Sequence, residues 1–193
     1  MLPEPAHSVL IGSLLGDACL SRNGKAYRVR FDHSQSACEY ALWKQQLLTD
    51  FATPLRTVSV YDKRTGKVYY HVRFDTRTLP QFGWYAQRFL DQSRKVVPPD
   101  IETLMTELAL AVWYMDDGHR RRDCNALRIN THAFTLPEIE RLKQMLECRF
   151  GVHSTIHLVV RNQRVLYIPS SSAKRFCELI RVYVPPCMGY KLL

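Results

Sequence analysis

Two stretches of the chain decide its fold: Leu10-Ile11-Gly12-Ser13-Leu14-Leu15-Gly16-Asp17-Ala18 and Leu110-Ala111-Val112-Trp113-Tyr114-Met115-Asp116-Asp117-Gly118. Each is an apolar run of helical character that ends on an acidic residue, and Asp17 and Asp117 lie 100 positions apart. A carboxylate is poorly placed at a helix C-terminus, because the helix dipole is already negative there. Two such residues at matched places in a basic chain therefore indicate a shared cation site.

Composition and charge narrow the class of protein. The chain has 193 residues, of which 46% are hydrophobic, and a formal net charge of +9. This length is enough for one large domain or two small halves with a buried core. The positive charge favours a polyanionic partner such as nucleic acid. Because no apolar run approaches the roughly 18 residues of a membrane span, we expect no membrane partner.

The six cysteines predict reduced thiols and no structural zinc site, because they are scattered and form no C-x-x-C pair. The N-terminal sequence lacks the basic segment of a signal peptide, so none is expected. Both features favour an intracellular reducing compartment, such as a cytoplasm, a nucleoid or an organelle matrix. The cysteines are Cys19, Cys38, Cys124, Cys148, Cys177 and Cys187.

The predicted secondary structure has the same order in both halves: helix, two strands, helix, two strands, helix. Apolar periodicity predicts the helices, and alternation predicts the strands. In the first half we expect helices over 4–17, 36–51 and 80–90, a hairpin at 21–25 leading into a strand over 27–32, and strands over 55–61 and 67–75. In the second half we expect a helix system from Asp100 to Asp117, a hairpin leading into a strand over 126–131, helices over 135–150 and 172–182, and strands over 154–160 and 164–168.

We therefore predict an α+β fold in which two duplicated αββαββα halves are related by a pseudo-two-fold axis within a monomer. Single residues match at an offset of 99, among them His33 with His132 and Leu47 with Leu146. The stretch that ends in Pro98-Pro99 is the linker-like segment. The expected units are an N-terminal half over 1–92, a linker over 93–99 and a C-terminal half over 100–193.

The paired Asp residues predict a divalent-cation site if the two motif helices pack side by side. Gly12, Gly16 and Ala111 would permit that close approach. A hard cation such as Mg²⁺ would relieve the repulsion between the carboxylates, and metal-assisted phosphodiester hydrolysis follows from it. Either Asp alone would read as a surface residue just past a helix end. Asp116 stays open as a second ligand, a backbone-carbonyl donor or a solvated neighbour.

The chain resembles the single-chain LAGLIDADG homing endonucleases, and among them the mitochondrial omega-intron branch. The resemblance rests on Leu14-Leu15-Gly16-Asp17-Ala18, on residues 110–118, on Ile129-Asn130-Thr131-His132-Ala133-Phe134-Thr135 and on Met188-Gly189-Tyr190-Lys191-Leu192. It implies two αββαββα halves whose motif helices form the central interface. It also implies two four-stranded, antiparallel, saddle-shaped sheets that lie over double-stranded DNA.

The resemblance also implies the roles of the site residues. Asp17 and Asp117 would bind the catalytic metals, with backbone oxygens from Gly16 and Asp116. The expected metal is Mg²⁺, with Mn²⁺ as a substitute. Basic catalytic residues near the scissile phosphates would be Lys191 and the Arg94-Lys95 pair, of which the inward-pointing member stays open. Two positions depart from the motif, Ala18 and Val112, and at Val112 we expect wider spacing between the helices.

Alternating basic residues predict that the strands bind DNA. Arginine, lysine and asparagine on a β-ribbon can distinguish bases in the major groove. A phosphate contact is the expected role of Arg120-Arg121-Arg122, and a structural role is expected for His33 and His132. The candidate DNA-binding residues are Arg28, Arg30, Lys67, Tyr69, His71, Arg73, Arg120, Arg121, Arg122, Arg128, Asn130, His157 and Arg164.

The leading hypothesis is a site-specific, Mg²⁺-dependent double-strand DNA endonuclease with a long, near-asymmetric target. Each Asp would serve one strand, and in the family the staggered cut crosses the minor groove. One alternative is an RNA-binding intron maturase on the same fold. Another is a DNA-binding regulator with a dead nuclease site.

Overall fold

The fold consists of two halves with the same order of elements, followed by a short C-terminal segment. The computed structural model describes residues 1–193, with the side chain of Arg161 left out. The first half contains α1 (Ala6–Leu15), β1 (Cys19–Asn23), β2 (Ala26–Ser34), α2 (Cys38–Leu47), β3 (Arg56–Asp62), β4 (Lys67–Asp75) and α3 (Phe82–Phe89). A small ribbon of β5 (Leu90–Asp91) and β6 (Arg94–Lys95) follows it. The second half contains α4 (Ile101–Leu104), α5 (Glu107–Asp117), β7 (Gly118–Arg120), β8 (Leu127–Asn130), α6 (Leu136–Phe150), β9 (Thr155–Val159), β10 (Gln163–Ile168) and α7 (Ser170–Ile180).

The two four-stranded sheets have the same topology. The N-terminal sheet has the order β1-β2-β4-β3 and the C-terminal sheet the order β7-β8-β10-β9. Every pairing in both sheets is antiparallel. The predicted α+β fold with duplicated αββαββα halves is therefore confirmed.

The motif helices α1 and α5 pack against each other at the centre of the molecule. Both are buried on nearly all sides, which explains why their sequences are apolar around the whole helix. A side chain at Gly12 would place its Cβ atom 2.3 Å from the Ala109 carbonyl oxygen and 2.7 Å from Val112 Cβ. The wider spacing expected at Val112 is wrong, because the absent side chain of Gly12 leaves room for it.

One hydrophobic core extends from the motif helices to the inner faces of both sheets. In the N-terminal sheet, the stacked rings of Phe31 and Phe74 lie 4.4 Å apart and face this core. In the C-terminal sheet, Ile129 and Leu166 occupy a directly paired position on the equivalent face. Alternation along each strand then leaves the polar side chains on the outer face.

Several helix ends differ from the prediction, and a side-chain cap explains one of them. α1 ends at Leu15, so Asp17 lies in the turn beyond the helix. The Thr106 hydroxyl accepts a hydrogen bond from the Ala109 amide and starts α5, which divides the predicted helix system at that residue. A capping box between Thr135 and Glu138 starts α6 as the sequence indicates.

The structure also bears on the thiols and on membrane insertion. All six cysteines are free, and Cys177 is the buried one among them. Within the part of the chain that the structure describes, no helix is both long and apolar enough to span a bilayer.

Candidate active site and nucleic-acid interface

A cavity of about 220 Å³ opens beside Asp117, at the C-terminal ends of the motif helices. It is called the Asp117 cavity below. Its walls include Gly16 of the first motif, Lys95 of β6, Asn130 of β8 and the following His132. The cavity thus places one carboxylate and one ammonium group beside a strand that carries polar side chains.

A second cavity, of about 260 Å³, opens beside Asp17 and is called the Asp17 cavity. Its walls include His33 of β2, Asp116 and Lys191 of the C-terminal segment. The Nδ1 atom of His33 lies 3.9 Å from Oδ2 of Asp17. Burial, and then the charge of Lys44, lower the pKa of His33 to about 4, so the ring is neutral near pH 7.

The two cavities contain equivalent parts. Each combines the last Asp of one motif with a histidine from the end of a strand in the same half. The lysine of each cavity comes from the opposite half: Lys95 follows α3 and lines the Asp117 cavity, whereas Lys191 follows α7 and lines the Asp17 cavity. The pseudo-two-fold axis therefore produces two matched sites, each of which needs both halves.

Both lysines donate to backbone oxygens at the ends of the motif helices. Lys95 Nζ donates to the Gly16 oxygen and Lys191 Nζ donates to the Met115 oxygen, each at 2.5 Å. Burial lowers the pKa of both ammonium groups, and the charges of the surrounding carboxylates oppose that effect. The lysines therefore fix cationic groups beside the acids.

Arg94 does not enter either cavity, and the catalytic role expected for it does not fit its placement. Its guanidinium group donates to Glu138 Oε2 at 2.9 Å. The same carboxylate accepts from the backbone and hydroxyl of Thr135 in the capping box of α6, each at 2.7 Å. Adjacent residues of an extended strand point to opposite sides, so the structure places Lys95 inward and Arg94 on α6.

The two motif carboxylates influence each other's protonation. Burial raises the pKa of Asp117 to about 7, and the charges of Asp17 and Asp116 add to this effect. Partial burial and then the charge of Asp116 also raise the pKa of Asp17, whose side chain is 47% exposed. Acids held in a shared negative field would gain from a bound cation, which removes the cost of ionising them.

The chemistry of these donors fits a hard divalent cation. Asp17 and Asp117 offer carboxylate oxygens, and Gly16 offers a backbone oxygen once Lys95 releases it. No group of three or more His, Cys, Asp or Glu residues that could hold a metal occurs among the described residues. A cation here would therefore draw its other ligands from water or phosphate oxygens, as Mg²⁺ commonly does.

The side chain of Asp116 is not free to bind a metal, and it has partners that the sequence analysis missed. It is fully buried against Lys44, with 2.6 Å between Nζ and Oδ1, and the Tyr40 hydroxyl donates to the same oxygen at 2.8 Å. A sequence signal existed, because Lys44 occupies an apolar position of α2 in register with Tyr40 and Leu48.

The outer face of the N-terminal sheet carries arginines that are held by acids. Asp75 accepts from Arg30 at 2.9 Å and from Arg56 at 2.6 Å, and Arg56 was absent from the predicted set. Partial burial acts to raise the pKa of Asp75, but the hydrogen bonds and charges of the two arginines outweigh it and hold the pKa below its usual range. The cationic groups of this face are therefore fixed in position before any partner binds.

A second acid on the same face holds two more predicted residues. Asp32 accepts from His71 Nδ1 at 2.8 Å and from the guanidinium group of Arg73. Here too the pKa of the carboxyl is below its usual range, because these partners outweigh partial burial. The strand register places Arg28, Lys67 and Tyr69 on this face as well.

The first residues of β4, next to the turn from β3, are exposed on both faces of the sheet. Val68 and Tyr70 share the face of the buried Val72 and Phe74, but they are 52% and 58% exposed. The hairpin of β3 and β4 extends beyond the helices that cover the sheet, so both of its faces reach solvent there.

The outer face of the C-terminal sheet is organised differently. Register places Arg128, Asn130 and His157 on one face, and the His157 ring stacks on Tyr167 with 4.4 Å between centroids. Arg164 pairs with Leu158 and lies on the opposite face, together with Leu166, so it does not share the predicted DNA-reading face.

The basic run after the second motif lines a groove of about 740 Å³ with Arg128 and Lys191. Arg120, paired with Leu127 in register, donates to the Leu192 oxygen at 3.4 Å. Arg121 is bound to Asp123, and Arg122 is exposed. The groove extends the positive surface of the C-terminal sheet from Arg128 to Lys191, which also lines the Asp17 cavity.

The comparisons with known proteins agree with this geometry. The model of the LAGLIDADG DNA endonuclease family matches residues 7–176. The cytochrome b mRNA maturase bI2 of Debaryomyces hansenii is 32% identical over 190 residues, which span 95% of this chain and 72% of that protein. The DNA endonuclease I-ChuI of Chlamydomonas applanata is 30% identical over 208 residues, which span 99% of this chain and 95% of that protein.

A solved structure shares the fold. It shows the homing endonuclease I-WcaI bound to its DNA recognition sequence, and it superposes with a TM-score of 0.91 at 25% identity over 100% of this chain and 88% of that one. Together with the family match over most of the sequence, this assigns the fold with its two pseudo-symmetric halves. The chain belongs to the LAGLIDADG DNA endonuclease family.

Proposed function

We propose that this chain is a site-specific double-strand DNA endonuclease that depends on a divalent metal. The observation that carries the proposal is the matched pair of cavities, each with one motif Asp and one lysine supplied by the opposite half. A pair of equivalent sites beside two basic sheets suits the two strands of a duplex. One cavity would cut each strand, and the double-strand cut would be staggered, as the family resemblance implies.

The side chains have separate roles in this proposal. The carboxylates of Asp17 and Asp117 would hold Mg²⁺, with Mn²⁺ as a substitute. The backbone oxygens of Gly16 and Asp116 would be further ligands of the metal. A bound Mg²⁺ supplies an activated water and stabilises the leaving oxygen. Lys95 and Lys191 place ammonium groups where negative charge develops on the phosphate, and such fixed charges stabilise the transition state.

The sheets would supply recognition. Arg30 and Arg73 on one face, and Arg128 and Asn130 on the other, have the donor groups that distinguish base edges. Because the two faces differ in sequence, the target should be long and near-asymmetric rather than palindromic. The run Arg120-Arg121-Arg122 would contact phosphates and position the duplex.

The experiment uses a supercoiled plasmid that carries the DNA formed by joining the sequences on either side of this reading frame. We expect the purified chain to produce linear plasmid with Mg²⁺ or Mn²⁺ and none with EDTA. Asp17→Asn and Asp117→Asn should each abolish linear product and leave at most a nick. Wild-type rates of linearisation in both variants would contradict the mechanism.

A maturase is the second candidate, because a maturase is among the relatives at 32% identity. In that case RNA binding and folding matter, and the carboxylates are dispensable. Rescue of splicing by the double variant Asp17→Asn/Asp117→Asn, without DNA cleavage by the wild-type chain, would favour this function. Tight DNA binding without scission in Mg²⁺ or Mn²⁺ would instead indicate a regulator with a dead nuclease site.

A further inference from the structure

The two motifs differ in the residue before the last Asp. The first motif has Gly16 at this position and the second has Asp116. The Asp116 side chain crosses into the first half, where it is fully buried. An isolated buried carboxylate is costly unless it is paired and hydrogen-bonded, so its partners indicate why it is there.

One oxygen of Asp116 is anchored to α2. Oδ1 lies 2.6 Å from Lys44 Nζ and accepts from the Tyr40 hydroxyl at 2.8 Å. The Lys44 side chain is also 0% exposed, and its ammonium group lies 4.6 Å from the centre of the Tyr40 ring. The carboxylate therefore has a fixed position between the second motif helix and a helix of the first half.

The other oxygen of Asp116 meets the backbone of the first motif. Oδ2 accepts from the Asp17 amide at 3.3 Å. Asp17 lies beyond the end of α1, where helical hydrogen bonding no longer defines its position, whereas Asp117 is still the last residue of α5. The contact thus supports the motif Asp whose own helix supports it least.

Steric fit makes this contact specific. A Cβ atom at Gly16 would lie 2.5 Å from both Cβ and Oδ2 of Asp116. The missing side chain on one helix therefore leaves the space that the carboxylate of the other helix occupies.

The equivalent anchor is replaced in the other half. The helix α6 corresponds to α2, and its buried face carries Ile139, Leu142 and Leu146 rather than a lysine. Lys143 is 39% exposed and lies 3.3 Å from Glu140 on the surface of α6. The support is therefore built on one side of the pseudo-two-fold axis.

We propose that Asp116, held by Lys44 and Tyr40, is a positioning residue for Asp17, so that the two strand cuts depend on different supports. This inference rests on the proposed function for its cleavage readout. Loss of the anchor should slow the cut that depends on Asp17 and spare the cut that depends on Asp117.

The cleavage test compares Asp116→Ala with wild type on supercoiled plasmid and, in parallel, on a linear duplex of the same target whose two strands carry different end labels. We expect the nicked plasmid to accumulate, because one strand is cut at the wild-type rate and the other at least about tenfold more slowly. The slow strand should be the one that Asp17→Asn leaves intact. Equal slowing of both strands, or slowing of the strand that depends on Asp117, would overturn the proposal.

Two further variants separate positioning from loss of folding. Lys44→Met/Asp116→Leu removes both charges and the acceptor of the Asp17 amide while it keeps apolar volume, so it avoids an unpaired buried lysine. It should slow the same strand. Lys143→Met is the matched control in the other half and should cut both strands at wild-type rates.

A second readout is independent of cleavage. In the ¹⁵N-labelled chain, the Asp17 amide resonance should move upfield and exchange faster with solvent in Asp116→Ala. The Gly151 amide, which donates to the Glu147 oxygen at 2.9 Å at the end of α6, should not change and serves as the internal control. An unchanged Asp17 amide would refute the positioning role. If the wild-type chain cuts no DNA but Asp116→Ala still shifts the Asp17 amide, the proposed function alone is refuted.

Discussion

The outer faces of the two sheets hold their cationic side chains in different ways. On the N-terminal sheet, Asp75 lies between Arg30 and Arg56, and each guanidinium group is bonded to one of its oxygens. On the C-terminal sheet, Arg128 lies across from Tyr167, on which His157 stacks. The first face is fixed by ion pairs, and the second is built around an aromatic ring.

The two halves have kept the same residue types in the cavities, whereas the outer faces of their sheets differ. The cavities keep an Asp, a His and a Lys in matched places, because the proposed chemistry is the same for both strands. The faces have diverged, because each would meet a different part of an asymmetric target. Side chains fixed in advance lose less entropy on binding, so the N-terminal face should bind with less adjustment than the C-terminal face.

The largest expected effect tests whether the two cavities are equivalent. Lys95→Met and Lys191→Met should each slow cleavage by about 10²–10³-fold, the usual loss when one fixed transition-state donor is removed. Single-turnover cleavage with strand-specific labels measures both rates. Lys174→Met, at an exposed position of α7, is the control and should cut normally. A large loss in one lysine variant alone would show that the cavities are not equivalent.

The next effect concerns the helix contact that keeps the two faces at a fixed separation. Gly12→Ala should destabilise the protein by about 3 kcal/mol, because the new methyl group meets backbone and Val112 with little room to move. Urea unfolding measures the change. Gly83→Ala in α3 is the matched control, since nothing lies within 4 Å of its added Cβ atom, and it should be neutral or slightly stabilising. Equal stabilities of the two variants would refute the close contact.

A smaller effect tests the fixed face against the aromatic face. Asp75→Asn would free Arg30 and Arg56, so binding to unrelated DNA should strengthen and discrimination for the target should fall by about tenfold. Arg128→Ala should instead cost about 2 kcal/mol and relax the preference at one base pair. Equilibrium binding to a target library over a salt series measures both. Identical profiles for the two variants would contradict the distinction between the faces.

The smallest effect follows from the pKa of Asp117, which burial and its acidic neighbours raise to about 7. A folded-state pKa above the unfolded value means that the folded chain binds the proton more tightly, so stability falls as pH rises from about 4 to about 7. In EDTA at pH 8, Asp117→Asn should therefore melt about 3 °C above wild type, and the gain should vanish near pH 4. An equal gain at both pH values would contradict this origin. Added Mg²⁺ should stabilise wild type more than the variant.

Most of the fold could be predicted from the sequence because its strongest signals are local. The motif stretches, the strand over residues 67–75 and the capping box at Thr135 each depend on neighbouring residues, and the structure has all of them. The duplication then supplied the pairing of the halves. Apolar periodicity predicts the end of α1 two residues too late, because it continues through a turn that closes on Ala18, whose amide donates to the Ser13 oxygen.

Less of the site could be predicted, because it depends on contacts across the chain. The inward direction of Lys95 is decided by Glu138, which holds the neighbouring Arg94 from a helix more than forty positions away. The anchor of Asp116 in α2 is similarly distant. The side of the sheet on which Arg164 lies depends on strand register, and a one-residue shift in a predicted strand reverses it.

The complementary shapes of Gly16 and Asp116 mean that neither half can serve as its own partner. Two copies of the first half would set glycine against glycine and leave both Lys44 ammonium groups buried without a carboxylate, at a cost of about 3–5 kcal/mol each. Two copies of the second half would crowd two Asp116 side chains into the space that one fills now. A gene split between the halves should therefore yield an obligate heterodimer.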